Sequence, residues 1–159
     1  MQAAANAIAS LLKERKQTLA VAESSAGGLI NAALVAVPGA SAYYLGGCII
    51  YTSASREGLL GISAQELRNM RSASEPYAIL VAQRVRERLR ASWGLSETGA
   101  SGPTGNRYGD APGHACFAVS GPVEAAITIA TGSAEREANM RTFAHRALLL
   151  LESCLRASR

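Results

Sequence analysis

Residues 18–36 constrain the fold most, because they pass from a strand pattern to a helix pattern across a short polar junction. The stretch "TLAVAE" is apolar enough for a strand buried on both faces. Two serines and a glycine pair follow it, Ser24, Ser25, Gly27 and Gly28, and apolar residues then recur at helical spacing. A buried strand that leads directly into a helix is typical of α/β proteins with parallel strands. Ser24 or Ser25 is predicted to cap this helix.

Strand-like and helical stretches alternate along the rest of the chain. Further helices are predicted at 3–16, 53–60, 63–69, within the stretch 72–94 with its cap at Ser74, and at 133–157. Further strands are predicted at 46–52, 95–100 and on the two sides of a tight turn at Gly121–Pro122. The pattern favours one mixed sheet with helices on both faces, and the whole chain, 1–159, is predicted to be a single domain.

Composition excludes several classes of protein. No run of about 18 uncharged apolar residues is present, so no membrane span and no membrane partner are predicted. The first residues carry their charges after the apolar part, the reverse of a secretory signal, which favours a cytoplasmic protein. The cysteines, Cys48, Cys116 and Cys154, are odd in number and lack CxxC spacing. They are predicted to be free buried thiols rather than disulfides or ligands of a zinc ion.

The net charge is +4 and the densest basic cluster is "RVRERLR" at 84–90. Its arginines are spaced two apart, so on a helix they diverge to two sides and form no single stripe. Aromatic residues are scarce, at 5%, and no nucleic-acid-binding motif accompanies the arginines. A solvated helix face is therefore favoured over a nucleic-acid patch.

Three predicted strands end in loops that carry polar or glycine-rich sequence, and ligands in α/β sheets bind at such ends. The candidate binding residues are Glu23, Ser24, Ser25, Gly27 and Gly28 after the first strand, Tyr51, Thr52 and Ser53 after the second, and Gly99, Ser101, Gly102, Thr104 and Gly105 after the third. Backbone N–H groups at a helix start or in a glycine-rich loop bind phosphate or stabilise an oxyanion. A serine cap and glycines for close packing explain the same residues without a ligand, so both interpretations stay open.

Four blocks of the sequence, taken in order, are similar to a known family. The blocks are "AVAESSAGGLI", "VPGASAYYLGGCIIYTSASREGLLGI", "ASEPYA" and "TGASGPTG". They resemble the CinA C-terminal domain, whose active members are nicotinamide mononucleotide amidohydrolases. The resemblance implies a three-layer α/β/α sandwich with a mixed, mostly parallel sheet. It also implies hydrolysis of a carboxamide to a carboxylate and ammonia, with no metal and no organic cofactor.

The resemblance assigns roles to individual residues. It implies that Ser24 is the nucleophile, while the glycine-rich loop lines the nucleotide site. In a hydrolytic mechanism, Tyr51 is expected to orient the reacting groups or relay the proton. The family's base, a lysine, falls on Arg56. A guanidinium stays protonated in proteins, so Arg56 cannot take a proton from a serine, although it can bind a phosphate or carboxylate. The chain also has Ser25-Ala26 where the family has Cys-Thr, and Ser53 where the family has Asn.

Three functions are compatible with this sequence. The first is an amidohydrolase acting on nicotinamide mononucleotide or a related amide, with a base other than Arg56, for which Tyr51 is a candidate. The second is a degenerate family member that binds a nucleotide or other small anion without turnover. The third, an accessory protein that binds nucleic acid or acts in DNA uptake, rests on the family's competence-related name and the pI of about 9.3, and it is the least favoured. Apolar helix faces and the stretch "AYYL" also predict a homo-oligomer.

Overall fold

The computed structural model describes residues 1–158 and shows one sheet with helices on both faces. The strands are β1 (Leu19–Glu23), β2 (Tyr44–Ile49), β3 (Trp93–Ala100), β4 (His114–Ser120) and β5 (Ala125–Ala130). The α-helices are α1 (Gln2–Arg15), α2 (Leu29–Val35), α3 (Ser53–Leu60), α4 (Glu75–Leu89) and α5 (Arg136–Ala157). A short 3₁₀ turn at Ala40–Ala42 precedes β2.

The sheet has the strand order β2-β1-β3-β4-β5. Strands β2 and β3 both pair with β1 in parallel, whereas β4 pairs antiparallel with β3 and with β5. Four strands therefore run in one direction and β4 runs against them, which confirms a mixed, mostly parallel sheet. Because β1, β2 and β3 are parallel neighbours, the loops that follow them meet at one edge of the sheet.

Two layers of helices bury the two faces of the sheet. On one face, Leu12 of α1, Ile30 of α2 and Phe143 of α5 pack with Trp93 of β3. On the other face, α4 packs directly on β1, β3 and β4, and α3 adds Leu60 to the cluster around Tyr77 and Val81. The three-layer α/β/α architecture is confirmed.

The sequence predicted the starts of α3 and α4 correctly. The hydroxyl of Ser74 accepts a hydrogen bond from the backbone N–H of Tyr77, so Ser74 caps α4 as predicted, with a proline in the first turn. The hydroxyl of Thr52 accepts from the N–H of Ser55 at the start of α3, which spans 53–60 as predicted. The hairpin of β4 and β5 across Gly121–Pro122 is also confirmed.

Other predictions about local structure were wrong. The predicted helix at 63–69 is a series of turns. The long helix predicted within 72–94 ends at Leu89, and Trp93 and Gly94 belong to β3 instead. The second strand begins two residues earlier than predicted and ends at Ile49. Neither Ser24 nor Ser25 caps α2, because that helix begins at Leu29 after Gly28 and has no side-chain cap. The hydroxyl of Ser25 is instead bound to a carboxylate on a neighbouring strand.

The three cysteines are free: Cys116 and Cys154 are buried and Cys48 is half-buried. Burial raises the pKa of all three thiols, which disfavours the reactive thiolate form. No helix in residues 1–158 has the length and apolar character needed to cross a membrane.

Candidate functional site

The loop between β1 and α2 is compact because its two glycines adopt left-handed backbone conformations. Gly27 has φ +66° and Gly28 has φ +102°, values that other residues rarely adopt. A Cβ on Gly27 would also lie 2.8 Å from the terminal methyl carbon of Met140. The Gly27 N–H donates to the carbonyl of Ser24 at 3.1 Å. That N–H group is therefore not free to bind an oxyanion, contrary to the expectation from the glycine pair.

The carboxylate of Glu97 on β3 accepts three hydrogen bonds from this loop. One of its carboxylate oxygens accepts from the backbone N–H groups of Ser24 and Ala26, both at 2.9 Å. The other accepts from the hydroxyl of Ser25. Glu97 is fully buried. Burial raises its pKa to about 7, against the lowering effect of the hydrogen bonds from the loop.

Glu23, at the end of β1, has a different set of partners. Its carboxylate accepts from the backbone N–H groups of Ile30 and Asn31, at 3.2 and 2.9 Å, and from the side-chain amide of Asn31. The hydroxyl of Tyr44 donates in turn to the amide oxygen of Asn31. Glu23 thus fixes the first turn of α2 and the neighbouring strand. It was predicted to bind substrate, but it does not line either cavity described below.

A cavity of about 410 Å³ lies at the meeting point of the loops after β1, β2 and β3. It falls within the range of roughly 300–1,000 Å³ that is typical of small-molecule sites. Its lining comprises Ser24, Ile50, Tyr51, Thr52, Ser53, Arg56, Ser72, Ala73, Tyr77, Thr98, Gly99, Asn106, Arg107 and Tyr108. We call it the larger cavity.

Arg56 extends from α3 along the wall of the larger cavity. Its Nε donates to the carbonyl oxygen of Ile62 at 3.2 Å. It also interacts with the phenol of Tyr77, whose pKa is raised by burial and lowered in part by the Arg56 charge and hydrogen bond. The position implied for the family's lysine base is therefore at this site, and a fixed guanidinium occupies it.

A second cavity of about 230 Å³, the smaller cavity, adjoins the first. Tyr51, Gly99 and Asn106 line both. The remaining lining residues are Ser25, Ala100, Ser101, Gly102, Thr104, Gly105 and Arg136. Arg136 begins α5, donates to the hydroxyl of Tyr51 at 2.9 Å, and donates to the carbonyl of Gly102. It therefore links the end of β2 to the glycine-rich loop.

The glycine-rich loop after β3 is held at both ends. The side-chain amide of Asn139 in α5 donates to the carbonyls of Ser101 and Ser133, at 2.9 and 2.8 Å. Farther along the loop, Asp110 accepts from Arg71 at 2.5 Å and from Asn106 at 2.8 Å. These contacts, Arg71 first, lower the pKa of Asp110. The loop therefore has a defined conformation at the cavities.

The three predicted loops meet as expected, but not every residue predicted in them reaches a cavity. The larger cavity is lined by Ser24, Tyr51, Thr52, Ser53, Arg56 and Gly99, and the smaller one by Ser25, Ser101, Gly102, Thr104 and Gly105. Gly27 and Gly28, like Glu23, lie outside both linings and shape the β1–α2 loop.

Sequence reasoning missed Glu97, Arg107 and Arg136. Glu97 had one detectable signal, a charged residue within the strand-like stretch "LSETGA". Arg107 lies inside the predicted loop, but nothing in its local sequence marks it as facing a ligand. Arg136 is 85 residues from Tyr51, so no local pattern connects them. Within residues 1–158, no group of three or more His, Cys, Asp or Glu side chains is arranged to hold a metal ion.

Comparison with known sequences gives consistent matches. The family model for the CinA C-terminal domain matches residues 1–155. A "CinA-like protein" of Prochlorococcus marinus (strain MIT 9313) is 41% identical over 118 residues, which cover 74% of this chain and 28% of that relative. A "CinA-like protein" of Gloeobacter violaceus is 42% identical over 130 residues, covering 81% and 30%. The chain thus matches less than a third of the length of these relatives.

Solved structures show the same fold. The competence-damaged protein (CinA) superfamily protein from Enterobacter cloacae superimposes with a TM-score of 0.89 at 26% identity, covering 97% of this chain and 91% of that one. The competence damage-inducible protein A from Klebsiella pneumoniae gives a TM-score of 0.92 at 22% identity, covering 99% and 98%. Because the family model matches nearly the whole sequence and the fold agrees, this chain belongs to the CinA C-terminal domain family.

Proposed function

We propose that this chain hydrolyses the carboxamide of nicotinamide mononucleotide, giving nicotinate mononucleotide and ammonia through a serine nucleophile. The observation that carries the proposal is the meeting of Ser24, Tyr51 and Arg56 at one cavity. These three residues occupy the positions that the family resemblance links to catalysis. Ser24 corresponds to the family's nucleophile, and Ser25 is the adjoining hydroxyl.

Charge at the two cavities suits an anionic substrate. Arg56 and Arg107 line the larger cavity, and Arg136 lines the smaller one. A guanidinium binds a phosphate through two parallel hydrogen bonds, which fix its orientation as well as its position. We propose that these arginines hold the phosphate of the mononucleotide, which leaves the carboxamide to reach the serines at the end of β1.

The reaction requires a serine oxygen to attack the amide carbon and a group that accepts the serine proton. The tetrahedral intermediate then releases ammonia and leaves an acyl-enzyme, which water hydrolyses to the carboxylate. Arg56 cannot be the proton acceptor. Within residues 1–158, the hydrogen bonds of Ser24 are made by its backbone, through its N–H to Glu97 and its carbonyl to Gly27.

The test is ammonia release from nicotinamide mononucleotide by the purified protein, measured with the double variant Ser24→Ala/Ser25→Ala as its control. Turnover that disappears in the double variant supports a serine amidohydrolase. Turnover that persists in the double variant contradicts the serine mechanism.

The second candidate function is binding of a nucleotide without turnover, and the fixed position of Arg56 favours it. A guanidinium bound to the Ile62 carbonyl is an anion-binding group rather than a base. The Arg56→Lys variant separates the two functions, because a buried lysine can lose its proton and act as a base. Wild-type protein that binds the mononucleotide without turnover, together with a variant that gains ammonia release, identifies a binding protein that lacks only its base.

A further inference from the structure

We propose that Ser25 and Glu97 form the reactive pair of this site, with the Ser25 hydroxyl as nucleophile and the Glu97 carboxylate as its general base. The inference rests on the proposed amide hydrolysis and identifies the group that replaces the lysine. It also moves the nucleophile one residue along the chain from Ser24.

The first argument is the hydrogen bond between the two side chains. Ser25 Oγ donates to Glu97 Oε1, which is the contact that a base needs in order to take the proton of a nucleophile. The other carboxylate oxygen, Oε2, is held by the backbone N–H groups of Ser24 and Ala26. The base is therefore oriented by two fixed donors, as the third group of a catalytic triad orients its base.

The second argument is access. Ser25 is only 4% exposed, but it lines the smaller cavity together with residues of the glycine-rich loop. When its proton is directed at Glu97, the lone pairs of its oxygen stay available to an electrophile. Arg136 lines the same cavity and is anchored by Tyr51 and Gly102. An anionic substrate is thus drawn to the cavity that Ser25 lines.

The third argument is the environment of the carboxylate. Glu97 is fully buried, and the groups that act on its charge are the three loop donors and Glu23 on the neighbouring strand β1. Its antiparallel partner on β4 is the uncharged Phe117. Burial and the charge of Glu23 raise the pKa of Glu97 to about 7, while the loop hydrogen bonds lower it. A base whose pKa is close to neutrality suits proton transfer at neutral pH.

The chemistry balances without another reactant. Ser25 Oγ forms a bond to the amide carbon as its proton passes to Glu97, and the carbonyl oxygen becomes the oxyanion. Glu97 returns that proton to the departing nitrogen, the C–N bond breaks, and ammonia leaves. Water then attacks the acyl-enzyme, gives one proton to Glu97, and releases the carboxylic acid, after which Glu97 returns the proton to Ser25 Oγ. Within this scheme Arg56 binds the anionic substrate and takes no part in proton transfer.

The closing experiment uses a small organofluorophosphonate, which reacts with an activated serine whatever the natural substrate is. The serine oxygen displaces fluoride from phosphorus, and mass spectrometry of the peptides distinguishes Ser24 from Ser25. We expect the label on Ser25, with a rate that increases as pH rises through about 7 because Glu97 must be ionised. Glu97→Gln is expected to lower the rate by about 100-fold or more and to remove this pH dependence.

Matched controls separate a chemical role from a structural one. In the Glu97→Gln variant the amide oxygen still accepts from the loop N–H groups and the amide NH₂ donates to Ser25, so the packing is conserved, and thermal unfolding checks the fold. Glu14→Gln removes an exposed carboxylate on α1 and is expected to change nothing. If Glu97→Gln does not fold, the labelled position and the pH profile of the wild-type protein decide the matter.

Label on Ser24, a rate independent of pH between 6 and 8, or no reaction overturns the proposed pair. One further outcome would support the Ser25–Glu97 pair but not hydrolysis of nicotinamide mononucleotide. Wild-type protein that is labelled on Ser25 with the expected pH profile, yet releases no ammonia from nicotinamide mononucleotide, retains the reactive pair and requires another substrate.

Discussion

Glu23 and Glu97 lie on neighbouring parallel strands, both are fully buried, and both accept hydrogen bonds from the β1–α2 region. Their partners differ. Glu23 binds the start of α2 and the side chain of Asn31, and it lines neither cavity. Glu97 binds the loop that carries Ser24 and Ser25, which line those cavities.

Two buried glutamates of the same sheet therefore have different roles. The donors around Glu23 belong to a helix and to Asn31, which also accepts from Tyr44, so its cluster joins α2 to β2. One of the donors around Glu97 is a hydroxyl at a cavity wall, from which a proton can be taken. We therefore expect that substitution of Glu23 lowers mainly the stability of the fold. Substitution of Glu97 should change mainly the pH dependence of stability and of serine reactivity.

The largest effect is expected for Glu23→Ala. The substitution leaves the N–H groups of Ile30 and Asn31 and the amide of Asn31 without an acceptor in a buried region. Each unsatisfied donor costs about 1–3 kcal/mol, so the loss of an acceptor for all three should lower the free energy of unfolding by at least about 3 kcal/mol. Urea denaturation measures it, with the exposed Glu14→Ala as control. A loss below about 1 kcal/mol contradicts the structural role.

The next effect concerns Glu97 and the dependence of stability on pH. The pKa of Glu97 is about 7 in the folded protein, against an ordinary value of 4.5. Between these pH values the Glu97 carboxyl is protonated in the folded state and ionised in the unfolded state. The free energy of unfolding should therefore decrease as pH rises from about 4.5 to about 7, by up to roughly 3 kcal/mol. Glu97→Gln does not titrate, and its stability should lack this decrease.

The measurement is urea denaturation of both proteins at a series of pH values from 4 to 8. Subtracting one curve from the other removes the contribution of every other titrating group that the two proteins share. A difference that stays constant across this range shows that the pKa of Glu97 is not raised on folding. A difference of the opposite sign shows that the loop hydrogen bonds outweigh the effect of burial.

The sequence contained enough information for the architecture. The apolar runs at 18–23 and 114–121 predict buried strands, and the pattern around Ala144, Leu148, Leu151 and Leu155 predicts the inner face of α5; these four side chains are buried as expected. These signals are local, because burial on one or both faces imposes a period on the sequence itself. Helix starts with a serine cap, as at Ser74, are equally local.

The site was predictable only in part, for a physical reason. Parallel strands bring their carboxyl ends together, so the meeting of the three loops followed from the element order. The direction in which each side chain points could not be predicted in this way, because it depends on partners that are distant in the chain. Ser25 has the residue type of a helix cap, yet its hydroxyl binds Glu97, which is 72 residues away. Arg136 reaches Gly102 across 34 residues.

The smallest effect is expected for Tyr44→Phe, which tests how far the Glu23 cluster extends. The hydroxyl of Tyr44 donates to Asn31, which donates to Glu23, so its removal should cost about 1 kcal/mol. In double-mutant cycles, Tyr44→Phe should couple to Glu23→Gln by about 0.5–1 kcal/mol and to Glu97→Gln by less than about 0.3 kcal/mol. Tyr43→Phe, which loses a bond to the Leu34 carbonyl instead, is the matched control and should couple to neither. Equal coupling of Tyr44 to both carboxylates would mean that they belong to one network, and the division between a structural and a reactive carboxylate would then be wrong.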